Sequence, residues 1–487
     1  MKILFATPEC APYVKTGGLG DVSAALPAML ARLGHDVRLL MPAYGGMKIN
    51  GEVGDTVEIA PQAHWPAAQL LPVKTDNGVT LLLLACPALY QRSGGPYLDA
   101  AGRDHHDNAL RFGFLSRVAA SLGTEASPCR DWRADVIHAN DWPCGLAPLY
   151  LAQSRALPGL ASAVASVMTI HNLAFQGVFA MAYADLLDVP PHARGMEGVE
   201  FWGQLSMLKA GLQYADAITT VSPTYAHEIQ TEAFGAGLHG VLQARSGRLT
   251  GILNGIDTSI WNPQTDPLIP QPYNASDLSG KAIDKAALQR RCGLALDPAA
   301  MLFGVVSRLT AQKGVDLVLG GLDALLAQGG QLVVLGQGES ALQDALLEMH
   351  HEHPAAVSVS LQFDESLAHQ IEAGADCFLM PSRFEPCGLN QMYSQAYATP
   401  PLVSPTGGLC DSVIDATVHP DTGTGFIMKS VSAAGFRDAL SRAMQAWRQP
   451  AQWQRIQANG MASSFGWEHS AARYIAVYQR AIELAAV

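Results

Sequence analysis

The sequence predicts an α/β protein made of two doubly wound domains. Three observations carry that reading. Short apolar runs alternate with helical patterns along nearly all of the chain, as expected for a parallel sheet covered on both faces. The alternation stops at an aperiodic stretch rich in Pro, Asp and Asn, Trp261–Ser279, and then restarts. A length of 487 residues is ample for two large domains, each with its own core. We therefore expect an N-terminal domain over residues 1–250 and a C-terminal domain over 251–465, with the boundary near 245–260. A last helix within 466–487 follows the break at Phe465-Gly466 and could pack back on the N-terminal domain. Trp261–Ser279 reads as an interdomain segment or an excursion.

In the first half, Lys2–Thr7 reads as a buried strand. A Gly-rich loop, Lys15–Asp21, leads to a helix over Val22–Leu33, with apolar residues at Val22, Leu26, Met29, Leu30 and Leu33 and Gly34 as its stop. Asp36–Met41, Val79–Ala85, Asp135–Ala139, Ser166–Ile170 and Ala217–Val221 follow as strands. In the second half, strands are expected at Leu302–Ser307, Gln331–Leu335, Val357–Phe363, Cys377–Met380 and Leu402–Ser404, with helices at Gly314–Leu326 and Leu342–His350.

Composition narrows the function. Forty-three acidic against 31 basic residues give a net charge of −12, which argues against a nucleic-acid partner, since such affinity comes mostly from neutralising phosphates. The eight cysteines form no Cys-x-x-Cys pair and no zinc-like spacing, so free thiols in a reducing cytoplasm are expected. The N-terminal apolar run is too short for a signal peptide and meets Glu9 early. The apolar stretch Val79–Cys86 is far below a membrane span, so no membrane association is expected.

The candidate site residues fall where apolar strands end. In open α/β sheets ligands bind at the carboxyl ends of the strands. The loop Lys15-Thr16-Gly17-Gly18-Leu19-Gly20-Asp21 offers close backbone approach, helix N-terminal amides and a mobile cation. It is not a Walker A loop, because the Lys precedes the glycines, and its glycine spacing does not fit a dinucleotide fingerprint. His138–Trp142 and Thr169–Gly177 close two further strands. Downstream, Arg308 and Lys313 share one strand-to-helix loop suited to a diphosphate. Glu385 sits in Pro381–Leu389, placed to meet sugar hydroxyls or developing positive charge, and Thr406-Gly407-Gly408-Leu409 could form an amide nest. Taken singly, each loop also reads as a turn with incidental charge; their coincidence on strand ends is what points to a site. His105, His106, His350, His351 and His353 read as solvated.

Lys15–Val22 (KTGGLGDV), Thr169–Gly177 (TIHNLAFQG), Gly251–Asp257 (GILNGID), Ser307–Gly314 and Pro381–Leu389 (PSRFEPCGL), in this order and spacing, resemble the bacterial glycogen synthases and the closely similar plant starch synthases. The resemblance runs over essentially the whole chain. It implies a GT-B fold, two Rossmann-like domains facing across a cleft, and transfer of glucose from ADP-glucose to the non-reducing end of an α-1,4-glucan with retention at the anomeric carbon. Carried over residue by residue, it places Lys15, with Gly17 and Gly18, in the donor-binding loop. Asp21 and His171 would hold glucose hydroxyls, Asp141 would lie near the reacting centre, and Tyr97 would stand at the site. Arg308 and Lys313 would bind the diphosphate together with amides of Thr406, Gly407, Gly408 and Leu409. Glu385 would contact the glucose, with Asn254 and Cys387 lining the same cleft. Phe363 stands where relatives often have a Tyr against the adenine, so stacking survives without the hydroxyl. Many other retaining transferases of this fold carry a second Glu eight residues after the first; here that position is Tyr393, which favours the glycogen and starch synthase branch. The competing readings are another nucleotide-sugar enzyme of the same fold, such as an epimerase, and a noncatalytic glucan-binding paralogue. No Asp-x-Asp lies near the proposed phosphate loops, so neither a metal nor a cofactor is expected.

Overall fold

Lys2–Ala6 forms β1, four of its five side chains buried, at the middle of a mostly parallel sheet. The computed structural model describes residues 1–156 and 164–486. The chain divides into two units, Met1–Asn254 with Trp467–Val487, and Gly255–Gly466.

In the first unit the strands are β2 (Asp36–Pro42), β3 (Glu52–Val53), β4 (Val57–Ile59), β5 (Ala68–Lys74), β6 (Thr80–Ala85), β7 (Val136–Asn140), β8 (Ala165–Ile170), β9 (Val178–Ala180), β10 (Glu200–Phe201), β11 (Gln204–Ser206), β12 (Ala217–Thr220) and β13 (Leu249–Gly251). The main sheet runs β13-β12-β8-β7-β1-β2-β6-β5-β3, with β4 also on β5. From β13 to β6 every pairing is parallel. Burial on both faces explains the apolar run of β1 after Lys2, and in β7 and β8 it encloses polar residues as well, His138, Asn140, Ser166 and Thr169. The antiparallel edge β3–β5 and the small sheet β10-β11-β9 go beyond the strands the sequence pattern marks. The C-terminal helix, Trp467–Ala485, belongs to this unit. Its Ser470 hydroxyl donates to the Leu253 carbonyl (2.5 Å), and Arg473 donates to Gly251 O (2.8 Å).

The second unit is a six-stranded, wholly parallel sheet of order β16-β15-β14-β17-β18-β19. Its strands are β14 (Leu302–Val306), β15 (Gln331–Leu335), β16 (Val357–Ser360), β17 (Cys377–Met380), β18 (Pro401–Val403) and β19 (Phe426–Ile427). Trp261–Ser279 is not a linker between domains but part of this unit. Trp261 lies stacked between His369 (3.9 Å) and Tyr393 (3.8 Å), and the Tyr273 hydroxyl donates to the Tyr397 carbonyl (2.8 Å). Three element boundaries depart from the expected ones. The first helix starts at Gly18, drawing half of the Gly-rich loop into its first turn. The helix expected over Gly314–Leu326 is broken into Val315–Leu319 and Leu322–Ala327 at Gly320-Gly321, a pair of the weakest helix formers after proline, and a Cβ at Gly321 would overlap the Phe436 ring. Strand β16 ends at Ser360, leaving Phe363 in the following loop.

Candidate active site

In the first unit, the Gly-rich loop is organised by a residue that the motif reading passed over. Glu9 is 3% exposed. Its Oε2 accepts the Thr16 amide (2.5 Å) and hydroxyl (2.8 Å), and its Oε1 accepts the Tyr97 hydroxyl (3.5 Å). Burial raises its pKa, against the lowering effect of these hydrogen bonds. Tyr97 is thereby tied to the loop carrying Lys15, Gly17 and Gly18. Lys15 pairs with Asp21 at 2.8 Å, the lysine half exposed and the pair open to solvent.

The ends of β7 and β8 meet next to each other. Asp141 follows β7 with φ 54° and ψ −177°, a region populated almost only by glycine and costly for an L-residue. Its Oδ1 accepts the His171 amide (2.7 Å), and its own amide donates to Thr169 O (3.0 Å). Desolvation pushes the Asp141 carboxyl up to about 7, while the backbone amides of His171 and Asn172 pull it back down. The His171 ring has a defined tautomer. The Asn140 amide donates to Ala6 O (3.0 Å) and His138 O (3.3 Å), so its oxygen faces His171 Nε2, which donates to it (2.9 Å). Desolvation holds His171 down at about 3, so the ring is neutral and Nδ1 keeps a lone pair for a ligand. Gly177, at φ 58°, closes this loop where a Cβ would overlap the Trp142 ring.

His138 is not at the site. It is fully buried between the Tyr478 hydroxyl (2.8 Å) and Thr169 Oγ1 (2.5 Å), with the Phe5 ring edge-on to it. Asn254 is buried three residues beyond β13, its Oδ1 without a hydrogen-bond partner among the described residues.

In the second unit, Arg308 and Lys313 follow β14, Pro381–Leu389 follows β17, and Thr406–Leu409 follows β18, so adjacent parallel strands deliver all three loops to one sheet edge. Arg308 is exposed. Lys313 and Glu385, expected to serve different parts of a ligand, are joined instead: Nζ lies 2.5 Å from Oε2, which also accepts the Ser382 hydroxyl (3.1 Å). Gly314 makes this possible. At φ 70° its α-carbon lies against the Pro381 carbonyl oxygen, where any Cβ would overlap it. Arg383 adds a second tie that sequence spacing could not reveal, a two-pronged pair with Asp316 (2.7 Å on each prong) and a backbone bond from its amide to Gln312 O (2.8 Å).

The Thr406–Leu409 segment is less open than a free amide nest. The amides of Thr406, Gly408 and Leu409 donate to Ser404 O (3.0 Å), Glu385 O (3.1 Å) and Thr406 O (3.1 Å). The Gly408 amide thereby ties this segment to the Glu385 loop. Cys387 is buried in the same turn, and all eight cysteines are thiols. Phe363, beyond β16, is 89% exposed, an aromatic face turned to solvent.

Two of the other histidines differ from the solvated reading. His105 is buried, with Nε2 3.1 Å from Gly95 O, and the His350 ring lies 2.7 Å from Val357 O. Among the described residues no group of three His, Cys, Asp or Glu side chains could hold a metal ion, and no helix is long and apolar enough to cross a membrane.

Two family models match the chain: the starch synthase catalytic domain over residues 2–244 and glycosyl transferases group 1 over residues 293–459. The glycogen synthase of Paracidovorax citrulli (strain AAC00-1) is 60% identical, over 98% of this chain and 94% of that protein. The glycogen synthase of Aromatoleum aromaticum (strain DSM 19018 / LMG 30748 / EbN1) is 52% identical, over 98% and 96%. Among solved structures, the catalytic domain of starch synthase IV from Arabidopsis thaliana, bound to ADP and acarbose, has a TM-score of 0.87 at 32% identity over 99% of both chains. A sucrose-phosphate synthase from Thermosynechococcus elongatus, 17% identical over 100% of both chains, shares the fold at a TM-score of 0.61.

Proposed function

The chain belongs to the family of bacterial glycogen synthases and plant starch synthases, and from that premise we propose how this GT-B glucosyltransferase of glycogen synthesis works. It moves glucose from ADP-glucose to the non-reducing end of an α-1,4-glucan in the cytoplasm, with retention at the anomeric carbon. The observation that carries the donor assignment is the near-complete match to a starch synthase holding ADP, together with the placement of Arg308 and Lys313 after β14 in the second unit.

In this reading the difficult event is departure of the diphosphate, which leaves a sugar with oxocarbenium character. Arg308 and Lys313 stabilise the growing phosphate charge, and Lys313 exchanges its Glu385 partner for phosphate oxygen as the donor binds. Glu385 then faces the sugar. Lys15 and Asp21 complete the donor loop. His171 presents its Nδ1 lone pair to a glucose hydroxyl, held in register by Asp141 and Asn140. Phe363 offers its face to the adenine, and Asn254 and Cys387 line the donor site. The carboxylate of Asp141 is engaged by the His171 amide, so its part is to shape that strand end rather than to attack the sugar. The acceptor hydroxyl enters on the side of the leaving group, and the departing phosphate oxygen takes its proton. No metal is needed for this charge stabilisation.

The test is incubation with glycogen and either ADP-glucose or UDP-glucose, with and without EDTA, following nucleotide release and polymer growth. We expect growth from ADP-glucose, α-linked and unaffected by EDTA. A β-linked product, or a stable glucosyl adduct on Asp141 or Glu385 trapped with a 2-fluoro donor, would overturn the mechanism.

A further inference from the structure

One hairpin of the first unit takes no part in the donor chemistry. Strands β10 and β11 form a hairpin whose closing pair is Phe201 with Gln204, so its loop is Trp202-Gly203. Both loop residues have positive φ, 50° and 78°. This is the turn that Asn-Gly or Gly-Gly ordinarily makes, and a Trp in its first position is strained. The strain is held in place from below. Glu200 Oε1 accepts the Gly203 amide (2.6 Å), and the buried Lys209 ammonium donates to the carbonyls of Met196 (2.7 Å) and Glu200 (2.5 Å). The result is an indole on a fixed stem, 81% exposed.

The indole has apolar company. Phe175, Met196 and Phe234 are also exposed. The loop carrying Phe234 abuts the hairpin, because Gly237 lies against Phe201 and the Trp202 indole nitrogen. That loop is bonded to the one carrying His171 and Phe175, through Gln176 Nε2 to Ala236 O (2.8 Å). The hairpin and the Phe234 loop are therefore tied to the loop that follows the His171 strand end. Glu197 and Glu200 flank it, which disfavours an anionic partner and provides acceptors for hydroxyl groups.

We propose that Trp202 is a stacking platform for the α-glucan acceptor, holding a pyranose ring of the chain against the indole as its end approaches the His171 loop. The inference rests on the glucosyltransferase reading. It adds to that reading a specificity-determining residue on the acceptor side. A neutral polymer with alternating apolar ring faces and hydroxyl rims fits an exposed indole bordered by carboxylates, and a strained rigid stem lowers the entropy lost on binding.

Trp202→Asn tests this cleanly, because Asn-Gly suits the turn and the hairpin should survive with an unchanged or higher melting temperature. The KM for glycogen and for linear maltooligosaccharides should rise about three- to tenfold, with the donor KM unchanged. Mobility in glycogen-containing native gels should increase correspondingly, a readout independent of turnover. Trp202→Phe should recover most of both. A parent enzyme that transfers no glucose would overturn the functional reading itself. An active parent whose Trp202→Asn variant keeps parental glycogen KM and gel retardation would overturn the platform alone. So would sedimentation showing that the substitution only dissolves a dimer.

Discussion

Glu9 is buried, and its carboxylate organises three donors on two segments far apart in sequence. Removing it would leave the Thr16 amide without its acceptor and free the Lys15 loop. Each hydrogen bond to its carboxylate contributes about 1–3 kcal/mol. We therefore expect Glu9→Ala to lower kcat/KM for the donor roughly 5- to 150-fold, with Glu9→Gln much milder because the amide oxygen can still accept. Steady-state kinetics at saturating glycogen would show it, and a donor kcat/KM unchanged in Glu9→Ala would remove Glu9 from the site. Asp141 makes a different prediction, about pH. Its carboxyl, with an ordinary value of 3.8, is raised to about 7 by desolvation. Between those values the folded chain binds the proton that the unfolded chain has released, so this group's contribution to stability falls as pH rises through about 7. Asp141→Asn keeps an acceptor for the His171 amide and deletes the titration. Its stability relative to the parent should increase from pH 5 to pH 8 by roughly 1–4 kcal/mol, while activity falls. Denaturant unfolding at the two pH values is the measurement, and a pH-independent difference would refute the assignment. A residue that is both strained and electrostatically unfavourable, and so less stable than its own amide, is what a functional position looks like.

The second unit's site is an arrangement of two loops, and its energetics belong to the pair. Lys313 and Glu385 are largely buried together, so removing one strands the other. Lys313→Gln and Glu385→Gln should each destabilise by roughly 2–4 kcal/mol, and the double substitution should cost clearly less than their sum. A double-mutant cycle by chemical denaturation checks this; strict additivity would mean the pair is not formed. Gly314→Ala should be as damaging through backbone alone, since the Cβ and the Pro381 carbonyl cannot share the same space. Most of these loops were legible from the sequence, because an apolar run ending in Gly, Lys, Arg or Glu marks the carboxyl end of a buried parallel strand. The ties between loops were not. Arg383 meets Asp316 across 67 residues, and Glu9 meets Tyr97 across 88, distances at which no local pattern speaks. The short antiparallel strands β3 to β5 were missed for a related reason: they form a half-exposed edge with weak alternation. Trp261–Ser279 reads equally as linker or excursion because Pro, Asp and Asn there carry no periodicity, while the stacking partners of Trp261, His369 and Tyr393, lie more than a hundred residues away.

At the scale of the whole chain, the first unit is discontinuous in sequence. The backbone leaves it at Asn254, builds the second unit, and returns at Trp467. The returning helix buries Trp467, Ala471, Tyr474, Val477, Tyr478 and Ala481. It also completes a buried polar chain, Tyr478 hydroxyl to His138, His138 to Thr169, Thr169 to Thr219 (2.5 Å). Burial keeps the His138 pKa at about 3, so the imidazole stays neutral across the physiological range and the chain acts as a fixed hydrogen-bond relay between helix, β7, β8 and β12. Two consequences follow at different strengths. Tyr478→Phe removes one hydrogen-bond partner and leaves a buried imidazole nitrogen unpaired, costing about 1–3 kcal/mol without changing the fold. Deletion of residues 467–487 removes the whole covering face, and each large apolar side chain lost from a core is worth about 1.5–3 kcal/mol, which together is comparable to a typical reserve of 5–15 kcal/mol. The deleted chain should therefore lose the cooperative unfolding transition of its first unit while the second unit, Gly255–Gly466, keeps its own. Differential scanning calorimetry separates the two transitions. Adding the peptide 467–487 back in excess should restore part of the lost one, by mass action on a native-only binding site. Two intact transitions in the truncated chain would show that the first unit's stability does not depend on the helix that returns to it.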